Sequence, residues 1–101
     1  MPGDDLDDEL LELWREARPT MIARCTAVGD AAVTGDPAMI AIAHGEAHKL
    51  AGAVGMFGFV DASALAIRLD DLVRGGALTD ARRAEVGALA AELAIALEAG
   101  P

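Results

Sequence analysis

The sequence predicts an all-α protein: an antiparallel up-and-down four-helix bundle with a short additional N-terminal helix. Three observations carry this reading. Apolar residues recur three and four positions apart along most of the chain, and no alternating strand pattern of useful length occurs. Ala dominates a hydrophobic content of 53%, while aromatic residues make up 3%. That mixture favours closely packed helices, because Ala is the best helix former and strand-favouring aromatics are scarce. Finally, Pro, Gly and cap-forming residues divide the 101 residues into five segments with short connections, which suits antiparallel neighbours. At this length a single domain over residues 1–101, with one core, is expected.

The first segment, about residues 4–18, places Leu6, Leu10, Leu13, Trp14 and Ala17 on one face and is expected to end before Pro19, which disfavours a helical residue ahead of it. It should close one end of the bundle, with Trp14 as its anchor. Pro19 can itself start the second helix, residues 19–33, whose inward face reads Met21, Ile22, Cys25, Val28, Gly29 and Ala32. Thr34 to Pro37 is a turn in which Asp36 has the character of an N-cap and Pro37 of a first helical residue. The third helix, residues 37–54, carries the stripe Ile40, Ala43, Ala47, Leu50 and Val54, and should break between Gly55 and Gly58. A fourth follows at 60–74, with Asp61 a candidate cap, Ala62, Leu65, Ala66, Leu69, Leu72 and Val73 apolar, and Gly75 and Gly76 as the stop. Thr79 or Asp80 caps the fifth, residues 80–99, with Val86, Leu89, Ala90, Leu93 and Leu97 inward.

Charge and composition exclude several classes of function. A formal net charge of -9 and a pI near 4.4 repel phosphate backbones and anionic lipid, so no nucleic acid or membrane partner is expected. Acidic or basic residues interrupt every apolar stretch before the roughly 20 residues a spanning helix needs. The opening Met1, Pro2, Gly3 and acidic run lack the basic start and apolar core of a secretory signal, which leads to the expectation of a cytoplasmic protein. The acidic run itself suits a solvated first helical turn, where the helix dipole favours negative charge. The single Cys25 has no internal disulfide partner and, at helical spacing from Met21 and Val28, reads as a small core residue rather than a reactive thiol.

Helical phase sets one region apart. His48 lies about 100° round the helix from Ala47, the centre of the apolar stripe, and therefore on the exposed shoulder. Its neighbours three, four and seven residues away are Ala41, His44, Gly45, Ala51, Gly52 and Gly55, so the surface around it carries almost no side chains. A Gly inside a helix costs roughly 0.5–1 kcal/mol relative to Ala. Gly45 and Gly52 either clear the way for another protein to approach the imidazole or let helices pack closely inside the bundle; phase alone leaves both open. His44 and His48, one turn apart, also raise a metal pair, but Gly45 stands where a metalloprotease helix has Glu, and no metal is expected.

The run Ala47-His48-Lys49-Leu50-Ala51-Gly52-Ala53-Val54-Gly55-Met56-Phe57-Gly58-Phe59 resembles the signature of histidine phosphotransfer (HPt) domains: a His after Ala, an apolar residue two on, Gly four on, then small residues ending in an apolar residue and Gly. The flanking helices extend the resemblance over nearly the whole chain. It implies a four-helix bundle whose exposed His accepts a phosphoryl group from an Asp of a response-regulator receiver domain and passes it to another receiver in a two-component phosphorelay. His48 would be the phosphoacceptor, Gly52 the clearance position, and Leu50 and Val54 core residues beneath. His44, Gly45, Lys49, Ala51, Gly52, Gly55 and Met56 would form the partner-binding face. The implied partners are receiver domains and a hybrid sensor histidine kinase.

The resemblance implies a phosphocarrier rather than an enzyme, needing no cofactor of its own, and the sequence carries no P-loop. Imidazole suits the task, since with a reference pKa of about 6.5 it is substantially neutral and nucleophilic near pH 7. The receiver's carboxylates and Mg²⁺ would supply alignment and charge stabilisation. A carboxylate on the fourth segment could orient the other ring nitrogen, and Asp70 has the best phase for it, the alternative being a solvated helical Asp. In one respect the sequence departs from the family: many members have Lys three residues after the His, where this chain has Ala51. Charge neutralisation would then fall to the partner's metal and lysine. A monomer is expected, and the competing reading is a helical module that binds a receiver without carrying phosphate.

Lys49, adjacent to the acceptor, either attracts an acidic receiver or is simply solvated. If it steers, Lys49→Ala slows association moderately, and the difference shrinks as salt screens the field. Stopped-flow transfer rates that agree for both proteins at low and high salt would place Lys49 among the solvated residues.

Overall fold

A computed structural model of the chain describes residues 2–57, 60–74 and 78–100, with side chains from residue 8 onward. Among the described residues the chain forms four helices, α1 (Pro2–Thr34), α2 (Pro37–Met56), α3 (Val60–Val73) and α4 (Asp80–Ala99), and no strand. α1 packs on α2 and α4, α3 closes the ring between α2 and α4, and the core runs up the middle. Pairings across the interfaces fix the directions. Trp14 of α1 meets Phe57 at the end of α2, while Arg24 further along α1 meets Glu46 earlier in α2. His48 pairs with Asp70, and Gly55 lies against Ser63. Gly100, just past α4, lies near Trp14, whereas Arg83 near the start of α4 reaches the end of α1. Each of these neighbouring pairs is antiparallel.

The capping signals at two helix starts are realised. Asp36 accepts from the Ala38 N–H at 2.9 Å with Pro37 behind it, and Thr79 accepts from the Arg82 N–H at 3.2 Å. Asp61 lies inside the first turn of α3 rather than capping it. Gly58, Gly75 and Gly76, expected to break and stop helices, lie outside the described residues. α2 continues through Gly55 to Met56, and the Phe57 N–H closes it on the Val54 and Gly55 carbonyls. At the end of α1, Gly35 takes φ +69°, a conformation L side chains rarely adopt, and its N–H meets the Ala31 carbonyl at 2.9 Å. The last turn of α1 holds no basic residue, and Arg83 supplies one from α4, donating to the Ala32 carbonyl at 2.7 Å and to that of Val33.

Most of the expected inward residues are buried: Ile40, Ala43, Ala47, Leu50 and Val54 on α2; Ala62, Ala66, Leu69 and Val73 on α3; Val86, Leu89, Ala90, Leu93 and Leu97 on α4, while Ile22, Gly29, Leu65 and Leu72 are half-buried. Cys25 is buried among them, and burial pushes its thiol from 9.0 up to about 11, so it remains an uncharged core residue at neutral pH.

The N-terminal region corrects the sequence reading. The expected helix at 4–18 is helical but is not a separate element, because α1 runs without interruption through Pro19. Two features explain the continuity. Trp14, Ala17, Met21, Cys25, Val28 and Ala32 keep one inward face on both sides of the proline, so a break would take one half of it out of phase. Pro19 and Arg15 are exposed, so the Arg15 carbonyl that loses its N–H partner lies on the water side of the helix. Thirty-three residues at 1.5 Å each give about 50 Å, which matches the 51 Å long axis of the molecule. Because α4 ends beside Trp14, the turns of α1 before it have less to pack against. Leu10 and Leu13, expected on the packed face, are exposed, while Leu11 is half-buried. Trp14 is the anchor expected, 2% exposed, with its ring edge-on to Phe57 at 5.3 Å.

Proline in an exposed helix interior forfeits a hydrogen bond and strains the preceding turn. Pro19→Ala should therefore stabilise the protein by roughly 1–3 kcal/mol, visible as a melting temperature raised by several degrees. A lowered melting temperature in that variant would show that α1 depends on the proline.

Candidate functional site

The site is built on the exposed shoulder of α2 and the edge of α3 beside it. Asp36 and Pro37 fix the start of α2, and the buried stripe from Ile40 to Val54 fixes its rotation. The side chain of His48 is consequently 75% exposed, directly outside the Ala47–Leu50 contact with the core. Its Nδ1 lies 3.3 Å from Oδ2 of Asp70 on α3. Asp70 is 5% exposed and is the buried charged residue among those described.

A buried carboxylate requires partners, and those of Asp70 all belong to this site. Oδ2 receives the Arg74 Nη2 at 3.1 Å as well as the His48 contact. Oδ1 has no hydrogen-bond partner; the Nε2 of His44 stands 3.5 Å away, within ion-pair range but beyond a good hydrogen bond. Since an ionised carboxylate only accepts, the contact favours the tautomer of His48 with its proton on Nδ1 and its lone pair on Nε2. No hydrogen bond or ion pair from the described residues reaches that Nε2. The arrangement therefore offers one nucleophilic nitrogen to solvent and ties the other to a negative charge.

The surface around the imidazole is bare. A Cβ added at Gly45 or Gly52 would meet nothing within 4 Å, so neither glycine serves close packing between helices. That favours the clearance reading of these positions. Gly55 is exposed, with Ser63 Oγ 3.8 Å from where its Cβ would stand, and Met56 is exposed beyond it. Ala51 is half-buried against the core. His44 is half-buried and, with Gly45, His48 and Arg74, lines a shallow cleft. Lys49 points elsewhere, its Nζ 3.8 Å from Glu46, whose other oxygen accepts from Arg24 of α1 at 3.1 Å. Sequence reasoning missed Arg74. The signal was available, since Asp70 and Arg74 are four residues apart on one helix and such pairs face each other. Among the described residues no group of three or more His, Cys, Asp or Glu is arranged to hold a metal ion, and no helix is long and apolar enough to cross a membrane.

Fold and site together define a small helical module with one carboxylate-buttressed imidazole on its surface. The sequence matches the family model of the Hpt domain over residues 5–99, nearly the whole chain, and the protein belongs to that family. No match is found among curated proteins or among solved structures. Hpt domains are phosphocarrier modules of phosphorelays that work with receiver domains, and are not catalytic enzymes.

If Gly52 faces solvent, adding a methyl group removes freedom from the unfolded chain and disturbs no contact. Gly52→Ala should raise stability by up to roughly 1 kcal/mol, readable in thermal melts. A lowered melting temperature would return the position to a packing role.

Proposed function

We propose that this protein accepts a phosphoryl group on Nε2 of His48 from the aspartyl phosphate of a receiver domain and passes it to the aspartate of another. The observation that carries the proposal is the exposed His48 with Nδ1 against buried Asp70 and Nε2 unengaged. The Nε2 lone pair attacks phosphorus, the bond from phosphorus to the receiver carboxylate breaks, and the electron pair stays with that carboxylate. No proton has to leave, because Nδ1 already carries it. The product ring is an N-phosphorylated imidazolium, and its positive charge forms beside the Asp70 carboxylate. Asp70 thus does two things: it fixes the tautomer before transfer and stabilises the ring cation after it.

Alignment and neutralisation at the receiver's own aspartate belong to the partner, with its carboxylates and Mg²⁺. The docking face comprises His44, Gly45, Ala51, Gly52, Gly55 and Met56, with Lys49 at its margin. The chain acts as a single domain and a monomer, since one exposed imidazole on one face is all the reaction asks of it.

His48→Gln should abolish acid-labile labelling from a phosphorylated receiver while leaving the helical circular dichroism intact. Label retained in that variant, or lost only in His44→Gln, would overturn the assignment. On the same reading Gly52→Gln should fold normally yet transfer slowly. Its side chain stands one turn from His48, and a displacement of about 1 Å at the reacting centre costs on the order of 100-fold in rate.

A further inference from the structure

Resting on the assignment of His48 as acceptor, we propose that Arg74 of α3 binds the transferred phosphoryl group.

The placement of cations over the bundle leads to this residue. Lys49 pairs with Glu46 of its own helix at 3.8 Å, and Arg68 is held by Glu85 of α4 at 2.8 Å. Arg74 lies on the histidine's own side. Its Nη2 is 3.1 Å from Asp70 Oδ2, the same oxygen that His48 Nδ1 approaches at 3.3 Å, and it lines the cleft with His44, Gly45 and His48. The contacts of its guanidinium, with Asp70 and with Asp71 at 3.6 Å, both run through Nη2. A guanidinium has five N–H donors in a planar fork, a geometry suited to bidentate contact with phosphate. The side chain is 58% exposed, so its end can swing outward without disturbing the core.

The chemistry of the ring supplies the reason to swing. While His48 is unmodified, the buried Asp70 carboxylate draws on Arg74 for charge compensation. Once Nε2 is phosphorylated, the imidazolium itself compensates Asp70, and a phosphoryl group of about two negative charges appears on the other side of the ring. Arg74 then exchanges one carboxylate contact for a more highly charged acceptor. No covalent bond is made or broken in the exchange. The cation thus comes from α3, and the α2 surface nearest the acceptor remains glycine and alanine at Gly45, Ala51 and Gly52.

The test uses full-length protein labelled at His48 with phosphoramidate, followed by phosphorus NMR across pH. A guanidinium on the phosphoryl oxygens favours the fully ionised form. Arg74→Gln keeps a side chain able to donate to Asp70 but removes the charge, and should raise the midpoint of the phosphoryl titration by about one pH unit, a tenfold change in acidity. Ala51→Lys added to Arg74→Gln should bring the midpoint back, which a purely structural role for Arg74 does not predict. An unmoved midpoint in labelled Arg74→Gln overturns the proposal alone. Failure of the unsubstituted protein to take label on His48 overturns the acceptor assignment and this proposal with it.

Discussion

The site depends on one constraint, a carboxylate buried at the seam between α2 and α3. Asp70 stands among Ala66, Leu69 and Val73 on the inward side of its helix, where an unpaired charge would be costly. Its charge is compensated by Arg74 one turn along its own helix, and across the seam His48 lies at 3.3 Å and His44 at 3.5 Å. The charge therefore couples the packing of the bundle to the state of the imidazole. Sliding α3 against α2 by one turn would strand the carboxylate, so the register that closes the core also aims the histidine.

The two faces of α2 show how far apart the demands on one helix can be. Inward, Ile40 to Val54 is continuous apolar packing; outward, Gly45, Gly52 and Gly55 leave the helix nearly bare. Those glycines lower its intrinsic stability, and the losses are offset by the Asp36 cap, Pro37 and the buried stripe. Stability is supplied on one side so that the other can stay open.

Most of this was legible in the sequence. The stripes of α2, α3 and α4, the caps at Asp36 and Thr79, the exposure of His48 and the phase of Asp70 all follow from local pattern, because each depends on spacing within one helix. Where tertiary contacts decide, the sequence was a poorer guide. At Pro19 a local rule predicted a break, but the faces holding Trp14 and Met21 are in phase and both are anchored in the core, which keeps the helix whole. Leu10 and Leu13 were expected inside because the periodicity of a helix says nothing about where its neighbours end. Arg83 closing α1 from some fifty residues away has no local signature at all. Arg74 is a different case: its spacing from Asp70 was visible, but its significance emerged only once Asp70 proved to be buried.

The protein has a single tryptophan, and Trp14 is sealed against Phe57 where α1, α2 and the end of α4 converge. Phe57 follows His48 by nine residues, or about 13 Å along the helix axis. The indole is thus a built-in fluorophore that is quiet with respect to chemistry at the imidazole and sensitive to fraying of that end. Its emission can follow denaturation of a phosphorylated or substituted sample without an attached dye, giving a spectroscopic readout of folding separate from any assay of transfer.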